Sequence, residues 1–162
     1  MARIVVMGVS GCGKSSLGAA LAEDLGLPFA DADDFHPPAN IAKMAAGIPL
    51  TDDDRWPWLD AIGAWLAARP AGIAACSALR RAYRDHLRGA CPGLRFLHPS
   101  GAPALIEARQ AARPGHFMPP SLMASQFATL EPPGPDEGAI TLDIARPLPD
   151  LVARARAALA AG

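Results

Sequence analysis

The chain has 162 residues, of which 51% are hydrophobic and 19% charged, and its formal net charge is −1. This length favours one domain over residues 1–162, and the near-neutral charge gives no reason to expect nucleic acid or a membrane surface as partner. No window approaches about 18 uninterrupted apolar residues, so no membrane span is predicted. Three widely spaced cysteines without a C-x-x-C pattern argue against disulfides or zinc and favour a cytoplasmic location.

A glycine-rich motif follows the first predicted strand, residues 3–8. It fits the pattern Gly-x-x-x-x-Gly-Lys-Ser. In such a loop the backbone N–H groups surround phosphate oxygens, Lys14 reaches the β- and γ-phosphates, and the Ser15 hydroxyl can bind Mg²⁺. We therefore predict a nucleotide-binding loop. Its residues are Gly8, Val9, Ser10, Gly11, Cys12, Gly13, Lys14, Ser15 and Ser16.

Strand and helix patterns alternate along the rest of the chain. The further strands are predicted at residues 27–30, 72–77, 94–98 and 139–144. Helical patterns follow at residues 14–25, 55–69, 79–88, 102–112 and 148–161. Because this alternation requires crossover connections, we predict a three-layer α/β fold with a five-stranded parallel sheet between helices.

Carboxylates cluster where the second predicted strand ends, in Asp31-Ala32-Asp33-Asp34. Ligands of parallel sheets bind beyond the carboxyl ends of the strands, so this cluster should face the phosphate loop. Neighbouring carboxylates repel one another unless a cation or a donor-rich ligand lies among them. Strand alternation would place Asp31 and Asp33 on one side, and we assign a function to these two. A helix N-cap role accounts for Asp34.

Basic side chains come next along the chain. Thirteen of the fifteen are Arg, and Lys43 and Lys14 are the two Lys, so Lys43 is either a functional point charge or a solvated helix residue. Arg55 lies early in a helix, where it opposes the dipole, and either grips an anion or pairs with a nearby Asp. Arg80 and Arg84 are four residues apart and either hold a carboxylate or form a charged surface.

A proline-rich stretch predicts a lid at about residues 109–122. Arg109 and Arg113 flank it, and closure of an Arg-bearing segment suits phosphoryl transfer because it excludes water and adds positive charge. His116 in this stretch is either catalytic or structural. The Asp-x-x-Gly and Asn-Lys-x-Asp patterns of guanine-nucleotide switches are missing, which disfavours a nucleotide-controlled switch without catalysis.

Several stretches beyond the phosphate loop carry a family resemblance. The first group is Asp33-Asp34-Phe35-His36-Pro37, Asn40-Ile41 and Lys43-Met44. The second is the stretch from Gly47 to Leu59, in which the matching residues include Pro49, Asp52, Asp54-Arg55 and Pro57-Trp58. The third group is Cys76-Ser77-Ala78-Leu79, Tyr83-Arg84-Asp85, Gly115-His116-Phe117-Met118, Ser125-Gln126-Phe127 and Leu130-Glu131. Through them the chain resembles the gluconate kinases, small P-loop kinases grouped with shikimate and adenylate kinases.

This resemblance implies transfer of the ATP γ-phosphate to the 6-hydroxyl of D-gluconate, with Mg²⁺ and commonly in a homodimer. By analogy with shikimate kinase, Asp31 would hold Mg²⁺ through water, next to Ser15, and Asp33 would orient or deprotonate the hydroxyl. The catalytic candidates are Lys14, Asp33 and Arg113, with Arg109 on the nucleotide. The gluconate candidates are Asp33, His36, Lys43, Arg55, Arg80 and Arg84. The alternatives are a kinase of another small anionic polyol or acid, such as shikimate, and a non-catalytic nucleotide-binding regulator.

Overall fold

The computed structural model describes residues 2–112 and 120–162, without the side chains of residues 120–122. Its strands are β1 (Arg3–Val6), β2 (Phe29–Asp31), β3 (Gly72–Ala75), β4 (Arg95–Ser100) and β5 (Ile140–Asp143). Its helices are α1 (Lys14–Leu25), α2 (Pro38–Ala45), α3 (Asp52–Ala67), α4 (Arg81–Ala90), α5 (Pro103–Ala112), α6 (Pro120–Thr129) and α7 (Leu148–Ala161). Within the described ranges the five strands pair in parallel, in the order β2-β3-β1-β4-β5. The predicted α/β fold is confirmed.

Strand alternation fills both faces of this sheet with apolar side chains. Along β1, Val5 packs into the core that contains residues of α3 and α4, whereas Ile4 and Val6 pack into the core that contains residues of α1 and α7. All three side chains are fully buried. Burial on both faces is typical of a central parallel strand, and it places the loop after β1 at the middle of the sheet's carboxyl edge.

The structure adds two helices that the sequence patterns did not predict, α2 and α6. It also starts α3 at Asp52, three residues before the predicted start, because Thr51 and Asp54 form a capping box. Strand β4 runs to Ser100, through Pro99, which lies beside Leu142 of the edge strand β5. Within the described residues no helix is both long enough and apolar enough to cross a membrane.

Gly63 marks a close approach of α3 to α4. A Cβ at this position would lie 2.8 Å from the Cβ of Ala90. We expect Gly63→Ala to lower the free energy of unfolding by about 1–3 kcal/mol, because overpacking outweighs the better helix propensity of alanine. Gly89→Ala is the control, since a Cβ there meets nothing within 4 Å. Urea unfolding tests this, and equal stabilisation by both variants would contradict it.

Candidate active site

The loop between β1 and α1 has the backbone of a phosphate cradle. Gly8, Gly11 and Gly13 adopt φ angles of 134°, 84° and 85°, in the positive region that glycine enters without a Cβ penalty. Gly13 is the N-cap of α1 and has no side chain to bind the N–H groups of the first turn. The free N–H groups of the first turn of α1 and the positive end of its helix dipole therefore form a binding site for an anion such as a phosphate.

The two predicted magnesium residues lie in contact. The Oγ of Ser15 donates a hydrogen bond to Oδ2 of Asp31 at 2.8 Å, which confirms that the acidic cluster faces the loop. Mg²⁺ commonly takes one or two protein oxygen ligands and completes its shell with water and substrate phosphates, and this pair fits that requirement. Among the described residues no group of three or more His, Cys, Asp or Glu could hold a metal.

Asp33 lies in a 3₁₀ turn, Ala32–Phe35, rather than on a strand. The turn begins where β2 ends, and Oδ1 of Asp31 accepts a hydrogen bond from the Asp33 N–H at 3.0 Å. Strand alternation is the wrong reason for grouping Asp31 with Asp33, because β2 ends at Asp31; that the two carboxylates serve one site stays a prediction. The turn instead leaves the Asp33 side chain exposed beside the carboxyl edge.

Cys76, the residue after β3, is a buried thiol at the carboxyl edge of the sheet. Burial raises the pKa of this thiol to about 12, and a hydrogen bond from the Ala78 backbone and the Lys14 charge oppose the rise. The Asp33 and Asp31 carboxylates add to it. The Cys76 thiol therefore lies at the same edge as the lysine of the phosphate loop and the acidic cluster.

His36 is held in one orientation at the same edge. Its ring stacks on Trp58 with centroids 4.3 Å apart. Asn40 Nδ2 lies 3.2 Å from His36 Nδ1 and donates to the Asp54 carbonyl at 2.9 Å, which identifies this amide atom as the nitrogen and Nδ1 as an acceptor. Burial lowers the pKa of His36, with Asp33 opposing and Arg55 adding to the effect. The lowered pKa favours the neutral imidazole, and an Nδ1 that accepts from Asn40 leaves the proton on Nε2.

Lys43 links α2 to the start of α3. Its Nζ lies 2.6 Å from Oδ2 of Asp54, and its side chain is 35% exposed. The hydrogen bond from Lys43 is the main reason that the pKa of Asp54 falls to about 2. The sequence left two interpretations of Lys43 open. The interpretation that it is only a solvated helix residue is wrong, because Lys43 forms an ion pair with Asp54. The interpretation that it binds substrate stays a prediction.

Arg55 takes part in a polar chain between α3 and α4. Its Nη1 donates to the Tyr83 hydroxyl at 3.0 Å, and that hydroxyl donates to Oδ1 of Asp52 at 2.5 Å. The Nη1 of Arg55 also lies 3.6 Å from Oδ1 of Asp52. The predicted pairing of Arg55 with a nearby Asp is therefore present. Because a guanidinium has five N–H donors, this pairing does not prevent Arg55 from binding an anion as well, and that role stays a prediction.

Arg84 does not belong to the site. The helix begins at Arg81, so Arg80 is the exposed N-cap and shares no helical face with Arg84. The Arg84 side chain is fully buried, and its donors bind the Glu137 carboxylate and the carbonyls of Ala78, Leu79 and Glu131. The prediction that Arg84 grips a substrate carboxylate is wrong, because its donors are already used inside the protein.

Part of the predicted lid lies outside the described residues, including Arg113 and His116. Arg109 is exposed near the end of α5. Sequence reasoning missed Gln110 and Gln126, which contact Ser10 of the phosphate loop. Gln126 lies in one of the stretches that carry the family resemblance, but no local pattern marked Gln110.

Known proteins match this chain over most of its length. Residues 10–48 match the family model described as shikimate kinase. The chain is 48% identical over 141 residues to a gluconokinase of Gluconobacter oxydans, covering 85% of this chain and 79% of the relative. It is 44% identical over 154 residues to the thermoresistant gluconokinase of Escherichia coli, covering 92% and 88%. The chain belongs to the gluconokinase family.

Solved structures agree with this assignment. A gluconokinase from Sinorhizobium meliloti superposes with a TM-score of 0.92 at 52% identity, over 98% of this chain and 91% of that chain. A shikimate kinase from Acinetobacter baumannii, at 17% identity and a TM-score of 0.67, shares the fold. As a member of the gluconokinase family the protein is an enzyme, a P-loop kinase that binds ATP.

Proposed function

We propose that this gluconokinase-family enzyme transfers the γ-phosphoryl group of ATP to the 6-hydroxyl of D-gluconate, giving 6-phospho-D-gluconate. The observation that carries the proposal is the meeting of three parts at one sheet edge. These are the phosphate loop, the Ser15–Asp31 pair at 2.8 Å, and Asp33 in the turn that follows. The curated relatives named gluconokinase support the choice of substrate.

The nucleotide side of the reaction requires charge neutralisation and alignment. The N–H groups at the start of α1 and the Lys14 ammonium hold the phosphates. Ser15 and Asp31 would hold Mg²⁺, which neutralises charge on the phosphate oxygens when bound. Arg109 on α5 and Arg113 are the proposed further cations for the transferring group.

The acceptor hydroxyl is proposed to bind at Asp33, in the turn after β2. Asp33 is exposed, carries a negative charge, and is proposed to orient the attacking hydroxyl and accept its proton. His36 is neutral, and its Nε2–H is proposed to donate to a gluconate hydroxyl. Lys43, Arg55 and Arg80 are the proposed cations for the substrate carboxylate and its neighbouring hydroxyls. Arg84 takes no part, because it is buried against Glu137.

A substrate panel tests this function. Coupled release of ADP is measured with D-gluconate, other aldonates, glucose and shikimate at equal concentration, and phosphorus NMR locates the transferred group. We expect turnover on gluconate with the phosphate at position 6. Glucose shares the terminal hydroxyl but lacks the carboxylate that the proposed cations bind. Its kcat/KM should therefore be at least 100-fold lower than that of gluconate, which corresponds to a loss of about 2.8 kcal/mol of transition-state binding at about 1.4 kcal/mol per tenfold. Turnover on shikimate without gluconate would contradict the proposal.

Assembly and location belong to the same proposal. We propose a homodimer, as the family resemblance implies, working in the cytoplasm. The exposed apolar side chains of Ile41, Met44 and Ile48 on and after α2 are supporting features for a protein contact. All three cysteines are buried, and none forms a disulfide, which suits a reducing compartment.

A further inference from the structure

Two glutamines from different helices hold the phosphate loop at one residue. Oε1 of Gln126, on α6, accepts a hydrogen bond from the backbone N–H of Ser10 at 2.6 Å. Oε1 of Gln110, on α5, lies 3.0 Å from the Ser10 Oγ, which donates to it. The Gln110 side chain is nearly buried, at 5% exposure. Ser10 is thus fastened through its backbone by one helix and through its side chain by the other.

The packing around this clasp, meaning Ser10 with Gln110 and Gln126, is tight. Gly11 lies against α5 so closely that a Cβ would be 3.0 Å from the Gln110 Cβ and 3.0 Å from the Ile106 carbonyl oxygen. Val9 and Cys12 of the loop share a buried cluster with Ile106 and Met123 of the same two helices. The loop is therefore enclosed by α5 and α6 on its outer side.

The clasp bonds to the loop upstream of helix α1. The first turn of α1 starts at Lys14 after the N-cap Gly13, and its N–H groups are expected to face a phosphate. Ser10 precedes that N-cap by three residues, so the bond from its N–H to Gln126 does not use the first-turn donors. This bond constrains the shape of the loop and keeps those donors available to a phosphate.

We propose that Gln110 and Gln126 are positioning residues that hold the phosphate loop in its ATP-binding shape before the nucleotide arrives. A free glycine-rich loop must lose conformational entropy when it closes on phosphates. Two acceptors fixed on packed helices impose that order in advance, so the nucleotide does not have to. The inference requires nucleotide binding at this loop and is independent of which acceptor is phosphorylated.

The first experiment removes the backbone acceptor. Gln126→Met keeps the length of the side chain and loses Oε1. We expect the Kd of a non-hydrolysable ATP analogue with MgCl₂, measured by calorimetry, to rise by about five- to tenfold, because the nucleotide must then order the loop itself when it binds. KM for ATP should rise in parallel, while KM for the acceptor stays the same and kcat falls less than threefold.

The second experiment uses the two-sided geometry. Ser10→Ala removes the hydroxyl bonded to Gln110 and leaves the N–H bonded to Gln126. Its effect on the Kd should therefore be non-additive with Gln110→Met and additive with Gln126→Met, in a double-mutant cycle. If a glutamine variant folds poorly, Ser10→Ala alone still tests the clasp, because it leaves both glutamines in place and should still raise the Kd.

The control is Ser125→Ala, an exposed residue next to Gln126, which should bind the analogue as the wild type does. An unchanged Kd in Gln126→Met would overturn the proposal, with or without a lower melting temperature. It would mean that the clasp contributes to the packing of the helices but not to nucleotide binding. A tighter Kd would overturn it as well, since the bond would then oppose nucleotide binding. Loss of gluconate turnover with normal nucleotide binding would contradict the proposed substrate and leave the clasp standing.

Discussion

Lys14→Ala and Asp33→Asn are each expected to reduce kcat by at least about two orders of magnitude, yet only the first should also weaken ATP binding. Lys14 is proposed to supply a fixed positive charge next to the phosphates, and loss of one such group typically costs about 10²–10³ in rate. Asp33→Asn removes the proposed general base, a role worth about 10²–10⁴. The amide cannot accept the hydroxyl proton, but it leaves the loop and the Ser15–Asp31 pair intact.

Steady-state kinetics and calorimetry with an ATP analogue separate the two roles. The control is Asp34→Asn, which changes the next carboxylate in the same exposed turn and should keep kcat within about twofold of the wild type, as surface changes usually do. A normal kcat in Asp33→Asn would place the base elsewhere. Unimpaired turnover in Lys14→Ala would mean that the loop is not the phosphate site.

The sheet was predictable because most strands contain apolar residues next to a glycine or proline boundary. The phosphate loop was predictable because its glycines, lysine and serine have fixed spacing. Helix α2 was missed since it begins with Pro38 after the N-cap Pro37, and consecutive prolines resemble a loop in a pattern search, although proline suits the first helical turn. The same argument applies to α6, which starts at Pro120.

The acceptor side was harder to predict because its contacts are distant in sequence. Asp33 was assigned to the site by its cluster, but the 3₁₀ turn that presents it depends on one bond between Asp31 and Asp33. Tyr83 orients Arg55 from 28 residues away, and neither residue has a pattern that reveals the other. The periodicity of apolar residues along the chain indicates which face of a helix or strand is buried, but it does not indicate which distant residues will form hydrogen bonds with each other.

Arg84 shows the same limit most clearly. Its position in a helix that carries three arginines looked like an exposed charged face, but Arg84 is fully buried against Glu137, 53 residues away. Glu137 also accepts hydrogen bonds from Arg88 Nη2 at 3.0 Å and from the Gly134 N–H at 2.8 Å. This network joins the segment after β3 to the segment after α6, beside the proposed active site.

Arg84→Met is expected to lower the free energy of unfolding by about 3–5 kcal/mol, because it leaves a buried carboxylate without its main partner. The control is Arg156→Met, which breaks an exposed ion pair with Asp24 and should change stability little. Urea unfolding at neutral pH measures both. A loss no larger for Arg84→Met than for Arg156→Met would contradict the role assigned to the buried pair.

Acid unfolding provides the second test of this pair. The hydrogen bond from Arg84 is the main cause that lowers the pKa of Glu137 from 4.5 to about 2. The unfolded chain therefore binds a proton at a higher pH than the folded chain, so this contribution is complete above about pH 4.5 and is lost as the pH falls toward 2. Glu137→Gln should lose less stability than the wild type over that interval, by about 3 kcal/mol. Parallel acid-titration curves for the two proteins would contradict this, because they would place the acid sensitivity on other carboxylates.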